Sequence, residues 1–161
     1  MSVGSTGLTG ERRHRLRPRR RGEMSDRRLR AAVLVLAALG AAIAVYLTVA
    51  HLAHVRVACA TGGCETVQTS RYAEIGGVPV AALGLAAYLV LAATAASRSE
   101  LARAVGLATA LGGFAFAAYL LYVQAAVLGA YCQWCLGSDA ILAVLVPVTL
   151  LRVARADPPG G

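Results

Sequence analysis

The segment from Ala31 to Ala50 is an unbroken apolar run of 20 residues. A helix needs about 20 such residues to cross the hydrocarbon core of a bilayer, whereas the apolar region of a cleaved signal peptide has roughly 7 to 15. Three more apolar runs, at 78–96, 104–126 and 132–151, are of similar length, and 58% of the chain is hydrophobic. The sequence therefore predicts an all-α integral membrane protein that folds as a four-transmembrane-helix bundle.

Polar segments flank these runs at both ends of the chain. Residues 1–30 are rich in arginine and glycine and show no apolar periodicity, which is typical of a disordered tail. We therefore divide the chain into a basic disordered tail at 1–30, a membrane domain at 31–152 and a short tail at 153–161. The sequence alone does not decide between Met1 and Met24 as the start of the protein.

The arginines are distributed unevenly around the apolar runs. Fourteen of the 16 basic residues lie in the N-terminal tail, in the turn at 97–103 or at the C-terminal end, whereas the loop at 51–77 carries only Arg56 and Arg71. Positive charge collects on the cytoplasmic side of membrane proteins, so both termini are predicted to be cytoplasmic, with an extracytoplasmic loop between helices 1 and 2. A nucleic-acid-binding tail is disfavoured, because no aromatic residue that would stack on bases is interleaved with the arginines.

All four cysteines fall on the predicted outer face. Cys132 and Cys135 form a C-x-x-C motif at the start of the fourth run, where a helix N-terminus stabilises a thiolate. Cys59 and Cys64 lie in the loop, and a Gly-Gly pair between them gives the backbone freedom to turn. Disulfides persist in the oxidising compartment outside the cytoplasm. The chain therefore has two candidate redox pairs on one surface.

Three interpretations of these cysteines are open. They could form two structural disulfides, but a disulfide that closes a C-x-x-C loop adds little stability. They could be four ligands of one zinc ion, although the loop half has the spacing C-x4-C. They could also exchange disulfides, which requires a mobile pair that faces a fixed pair. Two pairs on the same face of a four-span chain favour exchange.

A dithiol at the lipid boundary can reach a lipid-soluble electron acceptor, and a quinone is the expected one. Cys135 lies one turn deeper than Cys132, so we predict that Cys135 faces the acceptor and Cys132 faces the loop pair. Asp139 lies four residues after Cys135, inside the span, and is either a proton donor or hydrogen-bond partner for the quinone or a carboxylate in reach of interfacial water. Trp134 is either an interface anchor or a wall of the acceptor pocket.

These features together resemble a known family. They are a cysteine pair in the loop after the first helix, Ser70 six residues after Cys64, the segment SRYAEIGGVPVAALGLAAY from Ser70 to Tyr88, and the C-x-x-C motif at the start of the fourth helix. The combined pattern resembles bacterial vitamin K epoxide reductase homologues over roughly residues 30–152.

The resemblance implies a four-helix bundle around a quinone, which would be menaquinone or ubiquinone. It implies an active-site pair, Cys132 and Cys135, and a shuttle pair, Cys59 and Cys64. It also implies that Ser70 lies near the quinone or the cysteines. Together with the positions considered above, this gives four predicted contacts of the quinone, which are Ser70, Trp134, Ser138 and Asp139.

The resemblance also implies a location and a partner. Bacterial members of the family lie in the inner (cytoplasmic) membrane and pass electrons from a periplasmic thioredoxin-fold, DsbA-like protein to the quinone, which generates disulfides. No thioredoxin-like domain is fused to this sequence, so the partner is expected to be a separate protein. Asp139 stands where animal relatives have a tyrosine, so epoxide reduction is not expected.

Two other functions fit parts of the sequence. A disulfide oxidase of the DsbB type also has four spans and two outer cysteine pairs, but its C-x-x-C motif lies in the first loop. A non-enzymatic membrane protein could bind a metal through the cysteines together with His51 and His54, which lie three residues apart. Polar caps at the membrane interface are the simpler interpretation of these histidines.

Overall fold

The computed structural model describes the backbone of residues 8–155 and the side chains of residues 25–155. The chain is mainly helical, with a short two-stranded sheet between its first and second long helices. In chain order the elements are α1 (Leu8–Leu52), α2 (Cys64–Gln68), β1 (Glu74–Ile75), β2 (Val78–Pro79), α3 (Val80–Ala96), α4 (Glu100–Tyr122), a π-helical segment (Val123–Leu128) and α5 (Gln133–Ala154).

Three of the long helical segments in the described residues are long and apolar enough to cross a membrane. They are Ser25–Leu52, Glu100–Leu128 and Gln133–Ala154. The remaining long helix, α3, is equally apolar in character but has only 17 residues. The predicted helical chain with membrane-length apolar helices is therefore confirmed, while a count of four crossings depends on α3.

The helix boundaries differ from the predicted ones for local reasons. Helix α1 begins at Leu8 and so extends through most of the segment predicted to be a disordered tail; arginine is a good helix former, and the segment continues directly into the apolar run. Helix α4 begins at Glu100, before the predicted residue 104, because the Ser99 side chain caps it by accepting the backbone N–H of Ala102 at 3.1 Å. Residues 1–7 and 156–161, which complete the two predicted tails, lie outside the described residues.

The four long helices pack in a ring. Helix α1 contacts α3 and α5, and α4 contacts the same two helices from the other side. Each helix thus buries one face against two neighbours, and the shared interior is apolar. The most deeply buried side chains of this core are Val33, Tyr88, Leu91, Ala95, Ala110 and Leu145.

Tyr88 joins three of the helices inside the bundle. Its side chain is only 1% exposed, and it occupies space that a side chain at Gly40 of α1 would fill. The Tyr88 hydroxyl lies 2.7 Å from the Ser138 hydroxyl and donates to the Ser138 carbonyl at 3.1 Å. A buried hydroxyl with hydrogen-bond partners carries little desolvation cost. Tyr88 therefore fixes α3 against α1 and α5 next to the predicted site residue Ser138.

The short sheet forms a tight hairpin that leads into α3. Strands β1 and β2 pair antiparallel, with Ile75 opposite Val78. The turn between them is Gly76-Gly77, with φ of +60° and +81°, a combination that glycine adopts without strain. Glu74 of the hairpin also lies 2.7 Å from the His51 ring at the end of α1. The hairpin is thus attached to the helix that precedes the cysteine loop.

Candidate functional site

The two loop cysteines form a disulfide. Cys59 and Cys64 are bonded to each other, and α2 begins at Cys64. Gly62, between them, has a φ of +76°, which glycine tolerates, and the backbone N–H of Cys64 points at the Cys59 sulfur at 3.2 Å. Cys64 is completely buried. The loop pair is thus a compact oxidised unit at the start of a short helix.

This loop is docked on the chain that leads into α5. The Thr61 hydroxyl donates to the carbonyl oxygen of Tyr131 at 2.8 Å, and the backbone N–H of Ala60 donates to Oε1 of Gln133 at 2.9 Å. At Gly63 the two segments approach so closely that a Cβ atom would lie 2.6 Å from the backbone nitrogen of Tyr131. Because Tyr131 directly precedes Cys132, the docked loop brings the two cysteine pairs together.

A second set of contacts holds the other side of the loop. The indole Nε1 of Trp134 donates to the carbonyl oxygen of Ala58 at 2.7 Å. The Ala58 N–H donates to the hydroxyl of Tyr46 on α1 at 2.9 Å, and the Tyr46 and Trp134 rings have centroids 5.0 Å apart. Trp134 is therefore a docking residue for the loop, and it is not among the residues that line the cavity described below.

Cys132 and Cys135 are free cysteines whose sulfur atoms lie 2.8 Å apart. Cys132 is completely buried and is the N-cap of α5, with its sulfur accepting the backbone N–H of Cys135 at 3.4 Å. The Cys135 thiol donates to the Cys132 sulfur, and the Gln68 amide points at both sulfurs from 4.0 and 3.8 Å. The Cys132 sulfur is thus surrounded by donors.

These donors lower the pKa of the Cys132 thiol to about 6, with the Cys135 thiol as the largest cause and the backbone N–H groups and Gln68 adding to it. Burial acts in the opposite direction but does not outweigh them. A lowered pKa stabilises the thiolate, which makes Cys132 a better leaving group when a disulfide to it is broken.

Two glutamines support the pair, and neither was identified from the sequence. Gln124, in the π-helical segment, is 2% exposed, and its Oε1 accepts the backbone N–H of Cys132 at 2.8 Å. Gln68, at the end of α2, reaches the two sulfurs from the loop side. A π-helical turn is frequent at functional sites and has no sequence signature of its own. The spacing of Gln68 four residues after Cys64 is the one signal that could have identified it.

A cavity of about 320 Å³ lies beside this pair, between the helices. Its walls are mostly apolar and come from all four long helices, α2 and the hairpin, and the apolar side chains that line it include Leu47, Val67, Phe116, Leu120, Val123 and Leu142. Cys135 lines the cavity and Cys132 does not. The volume and lining are typical of a pocket for a small apolar molecule with a few polar groups.

The polar groups of the cavity include three of the predicted quinone contacts, Ser70, Ser138 and Asp139, together with Gln68 and Gln124. The Ser70 hydroxyl donates to the Val67 carbonyl at 2.8 Å, and Ser138 is occupied by Tyr88. Asp139 differs, because its buried Oδ2 has no hydrogen-bond partner among the residues that the structure describes. A flat apolar ring with oxygen atoms at its edge fits a cavity of this kind, since the amide groups of Gln68 and Gln124 can donate hydrogen bonds to those oxygens.

The histidines are not gathered with the cysteines. His51 pairs with Glu74, and His54, with a φ of +52°, lies in the turn after α1. Within residues 25–155, no group of three or more His, Cys, Asp and Glu side chains is placed to hold a metal ion. The loop cysteines are bonded to each other, so they offer no thiolates in this redox state.

A comparison with known protein families gives a match that covers most of the chain. The sequence profile described as the Vitamin K epoxide reductase family matches residues 31–150. The matched range covers about half of α1, from residue 31 onward, together with the cysteine loop, the hairpin, α3, α4 and α5 up to residue 150, so it contains both cysteine pairs and the residues that line the cavity.

Proposed function

The chain belongs to the vitamin K epoxide reductase family, a family of membrane thiol–disulfide oxidoreductases, and from this membership we propose that it is a quinone-dependent enzyme that generates disulfides. Members of the family are generally associated with quinones and with thioredoxin-like partners. In this proposal a periplasmic thioredoxin-fold protein supplies electrons, and a membrane quinone, menaquinone or ubiquinone, accepts them.

The observation that carries the proposal is the order in which the sulfurs and the cavity are arranged. The oxidised Cys59–Cys64 pair is docked on the backbone next to Cys132, and Cys135 lines the apolar cavity on the other side. Electrons that enter at the loop therefore reach the cavity through Cys132 and then Cys135. A structural role for the disulfides would not require an apolar cavity beside a free dithiol.

The first half of the reaction is a disulfide exchange. A dithiol of the partner reduces the Cys59–Cys64 disulfide and becomes a disulfide itself. One loop thiolate then attacks the Cys132 sulfur of an oxidised Cys132–Cys135 pair, and Cys135 leaves as a thiolate that takes up a proton. The other loop cysteine attacks the mixed disulfide, closes the loop disulfide again and displaces Cys132. The low pKa of Cys132 favours this displacement.

The second half of the reaction oxidises the Cys132–Cys135 dithiol to a disulfide. A quinone supplies the acceptor for two electrons and two protons, and the Cys132–Cys135 dithiol releases that number when it closes to a disulfide. Cys135 is the sulfur in contact with the cavity, and Asp139 offers a carboxylate there that holds or transfers a proton. The apolar wall keeps water away from the reduced sulfurs, and Gln68 and Gln124 hold the pair in position.

The proposed orientation places this site at the outer surface. Helix α3 is the fourth crossing in the proposal, its 17 residues being extended by the apolar residues of the hairpin that precedes it. Both termini are then cytoplasmic, as the distribution of arginines indicates. The cysteines lie on the periplasmic face, where a secreted thioredoxin-fold partner has access to the loop.

The test is an anaerobic assay in which purified full-length protein passes electrons from a dithiol to added menaquinone or ubiquinone analogues. We expect sustained quinol formation, which Cys135→Ala abolishes. Cys135→Ala is also expected to accumulate a mixed disulfide between Cys132 and Cys59 or Cys64, detectable by peptide mapping. Leu111→Ala is the control, because Leu111 is exposed on the outside of the bundle and does not line the cavity. Full activity of Cys135→Ala would refute the proposal.

A further inference from the structure

Three arginines lie near one another at the end of the bundle opposite the cysteines. They are Arg30 of α1, Arg103 of α4 and Arg152 in the last turn of α5. Arg30 has a structural role, because its guanidinium donates to the last carbonyl oxygens of α3, those of Ala95 and Ala96, at 2.8 and 2.7 Å. Among the described residues, neither Arg103 nor Arg152 donates its buried Nε–H to such a carbonyl oxygen.

Arg152 is buried without the partners that a buried guanidinium needs. It is 2% exposed, and its Nε and Nη2 atoms have no hydrogen-bond partner among the described residues. The Nε atom of Arg103 is buried and unpartnered in the same way. Unpaired N–H groups of a buried cation are costly to desolvate, and arginines near a membrane boundary commonly avoid this by extending to water. Arg152 instead points inward.

The charged groups near Arg152 are of both signs, with more cations than carboxylates. Within residues 25–155 the carboxylate of Asp26 acts on Arg152 most strongly, and the guanidinium groups of Arg30 and Arg103 act on it as well. No carboxylate of residues 25–155 lies within 4.0 Å of any of these three guanidinium groups. The ion pairs formed within residues 25–155 are His51–Glu74 and Arg56–Glu65, and both lie at the other end of the bundle. Within the described residues the cluster therefore holds three guanidinium groups against one nearby carboxylate, with N–H donors that have no partner.

We infer that Arg103 and Arg152, with Arg30 beside them, form a binding site for the phosphate group of an anionic membrane lipid. A phosphate oxygen accepts hydrogen bonds from guanidinium groups in a bidentate manner and would satisfy the unpartnered donors. The position matches this ligand, because the cluster lies where helices of membrane length end and where lipid headgroups are found. The site is separate from the cysteines and the cavity, so it does not depend on the proposed enzyme activity.

The test uses the full-length protein in a neutral detergent, titrated with short-chain phosphatidylglycerol. Native mass spectrometry counts bound lipid, and thermal unfolding reports stabilisation. Phosphatidylcholine of the same chain length tests for the anionic charge, and inorganic phosphate tests whether a free ion is sufficient. We expect a phosphatidylglycerol adduct and a raised Tm, with little effect of phosphatidylcholine or inorganic phosphate.

Arg152→Gln is expected to weaken phosphatidylglycerol binding about ten-fold, the effect expected when charge-assisted hydrogen bonds are lost. Arg98→Gln removes the same charge from an exposed position at the same end of the bundle and should leave binding nearly unchanged. If Arg152→Gln does not fold, Arg103→Gln replaces it with the same expectation. Equal binding by the test variant and Arg98→Gln, or equal binding of phosphatidylcholine, would overturn the inference. Inorganic phosphate that binds as tightly as phosphatidylglycerol would overturn the assignment to lipid.

Discussion

The indole nitrogen of Trp134 donates a hydrogen bond to the carbonyl oxygen of Ala58 at 2.7 Å, which connects one of the two residues between Cys132 and Cys135 to the residue before the loop cysteine Cys59. The same indole packs on Tyr46, whose hydroxyl accepts the N–H of Ala58. The backbone N–H and the carbonyl oxygen of Ala58 are thus both hydrogen-bonded, to Tyr46 and to Trp134 respectively. Trp134 therefore couples the position of the loop that carries Cys59 and Cys64 to the position of the Cys132–Cys135 dithiol.

Trp134→Phe tests this coupling. Phenylalanine keeps an aromatic ring next to Tyr46 but cannot donate to Ala58. One neutral hydrogen bond contributes about 1 kcal/mol, so we expect disulfide exchange between the loop and Cys132 to slow roughly five-fold. The KM for quinone should not change, because Trp134 does not line the cavity. Stopped-flow thiol quantification measures the exchange rate, with Tyr122→Phe, an exposed aromatic position on α4, as the control. A changed quinone KM with an unchanged exchange rate would place Trp134 at the quinone instead.

Gly63→Ala tests the close approach of the loop to Tyr131. A Cβ atom at Gly63 would lie 2.6 and 2.7 Å from the backbone nitrogen and oxygen of Tyr131, so the loop must move away. We expect slower exchange than in Trp134→Phe, while the local Cys59–Cys64 disulfide still forms. Gly112→Ala is the matched control, because a Cβ there meets no atom within 4 Å. Exchange at the wild-type rate in Gly63→Ala would show that docking at Tyr131 is not needed.

The ionisation of Cys132 predicts a pH dependence. Its pKa is lowered to about 6, so the thiolate is present above that pH and is lost as the pH falls through it. In a background with Cys59 and Cys64 replaced by serine, ultraviolet thiolate absorbance of the reduced protein should titrate near pH 6. Adding Cys135→Ala should move the midpoint upward, because the Cys135 thiol is the largest cause of the shift. A midpoint near 8.5, the usual value for a thiol, in the starting background would contradict this picture.

Asp139→Asn tests whether the carboxylate in the cavity handles a proton. Asparagine keeps the shape and polarity but does not ionise in the working range. We expect kcat for quinone reduction to fall by about a hundred-fold, the lower end of general acid–base effects, with a changed pH profile and a similar KM. Anaerobic steady-state kinetics across pH measure both parameters. An unchanged profile would leave Asp139 as a structural polar group.

Much of the helical architecture could be predicted from the lengths of the apolar runs, because a bilayer sets the length of a spanning helix. The position of the C-x-x-C motif at the start of a helix could also be predicted from the sequence, and Cys132 is indeed the N-cap of α5. Helix α4 begins before the predicted span at 104–126, because Ser99 caps a helix that starts in polar sequence, where hydrophobicity gives no signal.

The support around the dithiol could not be predicted in the same way. Gln124 reaches Cys132 only because the chain there is π-helical, and the role of Trp134 depends on where the loop carbonyl of Ala58 lies. Such contacts join residues far apart in sequence through backbone geometry. The unpartnered N–H donors of Arg152 could not be predicted either, because the distribution of arginines along the sequence indicates the orientation of the chain in the membrane but not which arginine side chain is buried.

The most direct test of the electron path is a single anaerobic turnover of the protein in the redox state seen here, with Cys59–Cys64 oxidised and Cys132 and Cys135 reduced. The protein is mixed with an equal amount of a soluble menaquinone analogue, and quinol and free thiols are counted. We predict one quinol per protein and the loss of both thiols, with a new Cys132–Cys135 disulfide found by peptide mapping. Quinol formed in the same yield by Cys135→Ala, or no quinol from the wild-type dithiol, would contradict it.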